Sequence, residues 1–242
     1  MLSGCVAHPI AVPPPVTAPP EGGSIETHLG RPGFVVAAPH GTSDARTGEI
    51  AEDVARRTGF GLVVAKGFTI EPDTPTSPGR RYQVNRPLEG VPGRPPSEER
   101  QTPGARQVYE AYEARVREVA QGPLHFYVEI HGNNRRGCTE RIEIATVGVD
   151  REFAVRLRTL AELIRDTWLR GHADVPRLDV RVEPADALVY TASGAKRDGI
   201  LRLPERALHI ELPKCARRDF DVVYTSVLSD FIAQASTLPV GR

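Results

Sequence analysis

A continuous apolar run, Val35-Val36-Ala37-Ala38, empties into Pro39-His40-Gly41-Thr42-Ser43-Asp44. An uninterrupted apolar strand must be covered on both faces, so it belongs inside a parallel sheet flanked by helices. A second stretch has the same form: Phe126-Tyr127-Val128-Glu129-Ile130-His131-Gly132 also ends on His-Gly. Taken alone, either His-Gly pair reads as a turn with a partly exposed imidazole. Taken together, with Asp44 four residues beyond His40, they place two imidazoles and a carboxylate at strand ends. The carboxyl ends of parallel strands are where open α/β sheets bind ligands.

The remaining pattern supports such a sheet. Thr47 to Thr58 reads as a helix, with Ile50, Ala51, Val54 and Ala55 on one face and Gly59 as its stop. Leu62 to Ala65 is a second buried strand, so the order is strand, helix, strand. Ser24 to Gly33 reads as a lead-in. Thr69 to Gly104 is a long loop rich in Pro, Gly and charge. Ala105 to Ala120 and Glu152 to Leu169 are amphipathic helices, and Asp219 to Ala235 is the closing helix. Strands are expected at Leu124–Ile130, Ile142–Ala145, Leu178–Val182, Ala187–Tyr190 and Ala207–Leu212. The expectation is an α/β single domain over residues 24–242, a mixed, mostly parallel sheet with helices on both faces. Residues 1–23 are expected to be a disordered Pro-rich tether. With 242 residues and 40% apolar content, one large core is affordable in area.

Charge is balanced, 31 basic against 31 acidic residues, which gives no argument for nucleic acid. No apolar run is long enough to cross a bilayer as a helix. The expected partner is a small-molecule or peptide substrate with a carboxylate. Contact with a membrane is expected only through a lipid: Leu2-Ser3-Gly4-Cys5 resembles a bacterial lipobox, which implies lipidation at Cys5 and an exported cell-envelope protein. The basic and apolar segments that usually precede a lipobox are missing, and the other reading is an ordinary N-terminus on a cytoplasmic protein. The two other cysteines, Cys138 and Cys215, lie seven residues after His131 and four after Glu211. In an oxidising compartment they are candidates for a disulfide beside the site; otherwise they are two buried thiols.

Two more signals belong to the site. Glu211 lies inside the apolar run His209-Ile210-Glu211-Leu212, where a carboxylate is expensive to bury. It reads either as an outward-facing residue or as a general base with a tuned pKa. Asn85-Arg86 lies in the long loop, and an Arg fork matches a carboxylate. Arg135 and Arg136 add positive charge directly after the second His-Gly end.

The ordered set His40-Gly41…Asp44, Asn85-Arg86-Pro87, Glu129-Ile130-His131-Gly132 and Ile210-Glu211-Leu212 resembles the zinc carboxypeptidase-like amidohydrolases. The relatives it looks most like are the N-formylglutamate amidohydrolases and the phage-type poly-γ-glutamate hydrolases. Thr47-Gly48-Glu49-Ile50-Ala51 is similar to a stretch that follows the first His in the latter. The resemblance implies a phosphorylase/hydrolase-like fold and one Zn2+ per chain on His40, Asp44 and His131. It implies Glu211 as the general base that activates water. It also implies Asn85 and Arg86 as the grip on a substrate carboxylate; Arg135 and Arg136 depart from the family pattern and read either as an addition to that anionic-substrate pocket or as solvated loop charges. Where the family pattern is His-x-x-Glu, this chain has Asp at the fourth position, with Glu49 as second-shell or alternative ligand. Tyr190, Lys196 and Arg197 are expected to close over substrate. The implied activity is hydrolysis of an amide C–N bond in an acidic N-acyl amino acid or a glutamyl or peptide-type substrate. Two alternatives are a metal-dependent esterase and a lipid-tethered binding module with a degenerate site. A serine hydrolase is disfavoured because no Gly-x-Ser-x-Gly elbow occurs.

Overall fold

The computed structural model of the chain describes residues 22–133 and 141–239. Cys5, Arg135, Arg136, Cys138 and nearly all of the expected tether lie outside these residues. In chain order the elements are β1 (Gly23–His28), β2 (Arg31–Ala38), α1 (Thr47–Thr58), β3 (Phe60–Gly67), β4 (Arg81–Tyr82) and β5 (Glu89–Gly90). After a 3-10 turn at Pro96–Glu98 come α2 (Pro103–Ala120), β6 (Phe126–Gly132), β7 (Arg141–Val147), α3 (Arg151–Leu169) and β8 (Asp179–Val182). Then follow α4 (Ser193–Asp198), a 3-10 turn at Ile200–Arg202, β9 (Arg206–Leu212), α5 (Lys214–Arg218) and α6 (Asp221–Ala235).

The helix boundaries follow from local chemistry. Gly59 adopts φ 72°, and its N–H closes α1 on the Ala55 carbonyl. Thr102 caps α2 by accepting from the Ala105 N–H, with Pro103 in the first turn where no N–H is needed. Asp150 caps α3 by accepting from the Phe153 N–H.

Seven strands form one sheet in the order β1-β3-β2-β6-β9-β7-β8. The pairs β3/β2, β2/β6, β6/β9 and β7/β8 are parallel; β1/β3 and β7/β9 are antiparallel. The mixed, mostly parallel sheet expected from the apolar runs is therefore present. From β2 the chain moves to β3 on one side and later to β6 on the other. Open α/β sheets bind ligands at such a switch point, beyond the carboxyl ends of the strands, here those of β2 and β6. These are the two strands that end in His-Gly.

Helices cover both faces. On one, Val36, Ala38, Val128, Ile130, Leu208 and Ile210 pack with α1, α3 and α6. On the other, Val35, Ala37, Tyr127 and Ala207 pack with α2 and with Ala195, Ile200 and Leu201. Strand alternation then puts Tyr127, Glu129 and His131 on the α2 face. The register pairs Glu129 with His209 and His131 with Glu211, so those two residues share that face.

Two expectations need correction. Residues 24–33 are not a lead-in: they hold β1, an edge strand antiparallel to β3 with Ile25 opposite Ala65. Ala187–Tyr190 is not a strand. The N–H groups of Val189 and Tyr190 both donate to Oε2 of Glu143 at 2.9 Å, so a side-chain carboxylate takes the donors a ladder would have used.

Candidate metal centre

The turn after β2 is fixed by its own backbone. The Asp44 N–H donates to the His40 carbonyl at 2.8 Å, and the Thr47 hydroxyl donates to the Asp44 carbonyl at 2.7 Å. Gly41 runs close to β3: a Cβ there would stand 2.8 Å from Val64 Cγ1. These constraints bring Asp44 back over the strand ends. Its Oδ2 accepts from the Gly132 N–H at 3.2 Å.

Both imidazoles turn the same nitrogen to this carboxylate. Nδ1 of His40 is 3.4 Å and Nδ1 of His131 is 3.5 Å from Asp44 Oδ2. Each Nε2 is occupied elsewhere. His40 Nε2 lies 3.0 Å from the Gln83 carbonyl, which only accepts, so this nitrogen carries the hydrogen. His131 Nε2 lies 3.2 Å from Oε2 of the buried Glu129. A neutral imidazole held this way offers Nδ1 as its lone pair. His40, Asp44 and His131 thus present ligand atoms within 4.8 Å of one another. Two nitrogens and one carboxylate oxygen match the protein donor set of a catalytic zinc site. Glu49 is exposed on the first turn of α1 and is not among these clustered atoms. Asp44 is the acid of the cluster.

Behind His131 lies a network that sequence reasoning did not assign. Glu129 is fully buried and accepts from Asn85 Nδ2 at 3.2 and 3.3 Å, from the Tyr127 hydroxyl at 3.2 Å and from His209 Nδ1 at 2.8 Å. The His131 and His209 rings stack with centroids 4.0 Å apart. Glu129, His131 and His209 also cluster closely enough to be counted as ligands. The 2.8 Å contact is a hydrogen bond, however, and both Glu129 oxygens already have donors. Glu129 therefore orients His131 rather than holding a metal itself. The signal in the sequence was the polar alternation Tyr127, Glu129, His131 and His209, Glu211 inside otherwise apolar strands.

Electrostatics match this wiring. Burial pushes Asp44 up, but hydrogen bonds and charge from His131 and His40 hold it well below the usual carboxylate range. Burial likewise pushes Glu129 up, and His131 and His209 more than reverse it. Burial lowers His131, while Asp44 and Glu129 raise it to about 10. The raised imidazole stabilises the metal-free protein fully below pH 6.5, and that contribution is lost as pH climbs to about 10. The depressed carboxylates contribute above their ordinary values of 3.8 and 4.5 and lose it on acidification. Metal-free protein is thus expected to be most stable between pH 4.5 and 6.5. Thermal unfolding in a chelator across pH 4–10 checks this, and a Tm that climbs above pH 6.5 contradicts it. Zinc displaces the His131 proton, so zinc affinity should rise over the same upper range.

Glu211 stands beside His131 across the β6/β9 register and is 8% exposed. Its Oε1 is 3.4 Å from His209 Nε2, and its Oε2 has no hydrogen-bond partner among the described residues. Asn85 and Arg86 are placed differently from a free carboxylate grip. Arg86 donates through Nε to Glu99 Oε2 at 3.0 Å and through Nη2 to Glu99 Oε1, while its Nη1 donates to Asn85 Oδ1 at 3.1 Å. The pair is wired to Glu99 on one side and to Glu129 on the other. Lys196 pairs with Glu183, and Arg197 with Asp198. Cys215 on α5 is disulfide-bonded. Its expected pairing with Cys138 lies outside the described residues.

No family model and no curated protein sequence matches the chain. Solved structures do. A bacteriophage poly-γ-glutamate hydrolase aligns over 88% of this chain and 88% of its own, with 13% identity and a TM-score of 0.50. YndL in its zinc-free apo form aligns over 90% and 93%, with 13% identity and a TM-score of 0.48. The gene product Atu2144 of Agrobacterium tumefaciens aligns over 87% and 92%, with 14% identity and a TM-score of 0.48. The first of these likenesses spans nearly the whole chain, and it shows that this protein has the α/β fold of the phage poly-γ-glutamate hydrolase.

Proposed function

We propose that the protein is a zinc-dependent amidohydrolase that cleaves the C–N bond of a carboxylate-bearing N-acyl amino acid or a glutamyl or peptide-type substrate. The observation that carries this reading is the shared orientation of His40 and His131, each with Nε2 anchored and Nδ1 turned to Asp44. His40, Asp44 and His131 would hold the ion. Bound there, zinc supplies Lewis acidity to the scissile carbonyl and lowers the pKa of water. The chain supplies the proton handling. Among the described residues, one carboxylate oxygen of Glu211 has no partner. It takes the proton of the attacking water and returns it to the leaving amine. Arg86 already binds one carboxylate, that of Glu99, in a fork, which is the geometry a substrate carboxylate would take by exchange.

The test pairs metal analysis with a substrate panel. Chelator-stripped protein titrated with zinc is expected to take up one ion per chain. A panel of γ- and α-glutamyl, N-acyl amino acid and peptidoglycan-type amides should then give zinc-dependent turnover of a carboxylate-bearing member. Turnover of the matching esters alone would make the protein an esterase. A well-folded chain that takes up no zinc would be the binding module instead.

A further inference from the structure

Arg217, on α5, is 1% exposed. No carboxylate pairs with it among the described residues. Taking an unpaired guanidinium out of water costs several kcal/mol. What it meets instead is three backbone carbonyls. Nε donates to Leu212 O at 3.2 Å, Nη2 to Asn133 O at 3.0 Å and Nη1 to Ala45 O. Each carbonyl lies just past a residue of the candidate centre: Ala45 follows Asp44, Leu212 follows Glu211, and Asn133 is two beyond His131. The guanidinium rests on the backbone of Gly132, where a Cβ would stand 2.3 Å from Arg217 Cζ. A side chain at position 132 would therefore have to displace this guanidinium.

We propose that Arg217 is a positioning residue of the metal centre. Its fork locks the ends of β6 and β9 to the turn after β2, so that Asp44, His131 and Glu211 stand at their spacing before a metal arrives. This rests on the reading of His40, Asp44 and His131 as metal ligands. A guanidinium suits the task because its donors are spread over a rigid plane and reach three acceptors on separate segments. A lysine ammonium radiates from one atom and cannot span them.

The experiment compares wild type, Arg217→Ala and Arg217→Lys. Hydrogen exchange is read in the metal-free proteins, and zinc affinity by competition with a chelating dye. The visible spectrum of the Co2+ forms is recorded with and without added methylguanidinium. Arg217→Ala is expected to unfold cooperatively and to exchange at least ~10-fold faster around Asp44, Gly132 and Leu212. It should bind zinc about 10–100-fold more weakly, the range seen when supports behind metal ligands are removed. Methylguanidinium should recover most of the affinity and the wild-type Co2+ spectrum, and Arg217→Lys only part. Should Arg217→Ala not fold, Arg217→Lys and Gly132→Ala carry the comparison, since the added Cβ drives the guanidinium off its seat. Unchanged exchange at the three segments, or zinc affinity within twofold of wild type, overturns the proposal. So does lost affinity that methylguanidinium leaves unrestored. A wild type that binds no zinc overturns the metal reading instead, and the exchange data on metal-free protein still judge the clamp.

Discussion

Replacing His131 with alanine is expected to abolish zinc uptake and, with it, amide turnover. His131 is the imidazole on which the whole arrangement converges: Asp44 faces its Nδ1 at 3.5 Å, Glu129 its Nε2 at 3.2 Å, and His209 stacks on its ring. Removing a support behind a ligand weakens metal binding about 10–100-fold, and removing the ligand itself should exceed that range. The fold should survive. Glu129 keeps Asn85, Tyr127 and His209 as donors, so its carboxylate is not stranded. Breaking a buried ion pair still costs roughly 3 kcal/mol in the metal-free protein. A second signature follows from the raised pKa. The loss of metal-free stability between pH 6.5 and about 10 belongs to His131 and should vanish in the variant. His125 is the control. It is half exposed beside Glu205 and not among the clustered ligand atoms, so His125→Ala should leave zinc content unchanged. Metal analysis and chelator-treated unfolding curves of the two variants decide the matter. A His131→Ala protein that retains zinc would remove β6 from the centre.

What the sequence revealed of this arrangement depended on whether the cause was local. Helix α1 was legible in full because its apolar stripe and the Gly59 stop are written within a dozen residues. The buried strands β2 and β3 announced themselves by continuous apolar runs, and β6 and β9 by mostly apolar ones. Strand β1 did not: Ser24, Glu26 and Thr27 leave only Ile25 as an apolar marker, and its pairing is set by β3 far along the chain. Ala187–Tyr190 has good strand-forming residues, but a carboxylate from β7 captures its N–H groups. The same divide runs through the site. His40, Asp44 and His131 were readable because strand ends and the switch point bring them together whatever the details. Glu129 and His209 were not, because a polar residue two places before a His or a Glu looks the same whether it faces solvent or the core. Only the β6/β9 register, which sets Glu129 beside His209, shows which. Arg86 and Arg217 are basic residues among many, and nothing local says that one meets Glu99 and the other three carbonyls.

Glu211→Gln should separate proton transfer from metal binding. The amide matches the carboxylate in volume and cannot act as a base. Turnover is expected to fall about 10²–10⁴-fold, the usual worth of a general acid–base group. Zinc content should stay at the wild-type value, because Glu211 is not one of the clustered ligand atoms. The physical ground is Oε2, which has no partner among the described residues. A buried carboxylate oxygen without a donor costs about 1–3 kcal/mol or more, and among the described residues this one has none, which leaves it free to accept a proton. Glu143 supplies the comparison. It is fully buried and directly opposite Glu211 on β7, but its oxygens are taken by Arg141 Nε and by the N–H groups of Val189 and Tyr190. Glu143→Gln should therefore lower stability by roughly 1–3 kcal/mol while turnover per folded molecule persists. Steady-state kinetics and unfolding curves on both variants tell the two carboxylates apart. Equal losses of turnover would mean that negative charge on this face of the sheet, rather than a proton acceptor at Glu211, is what the reaction requires. A Glu211→Gln protein with near wild-type turnover would move the base to another residue.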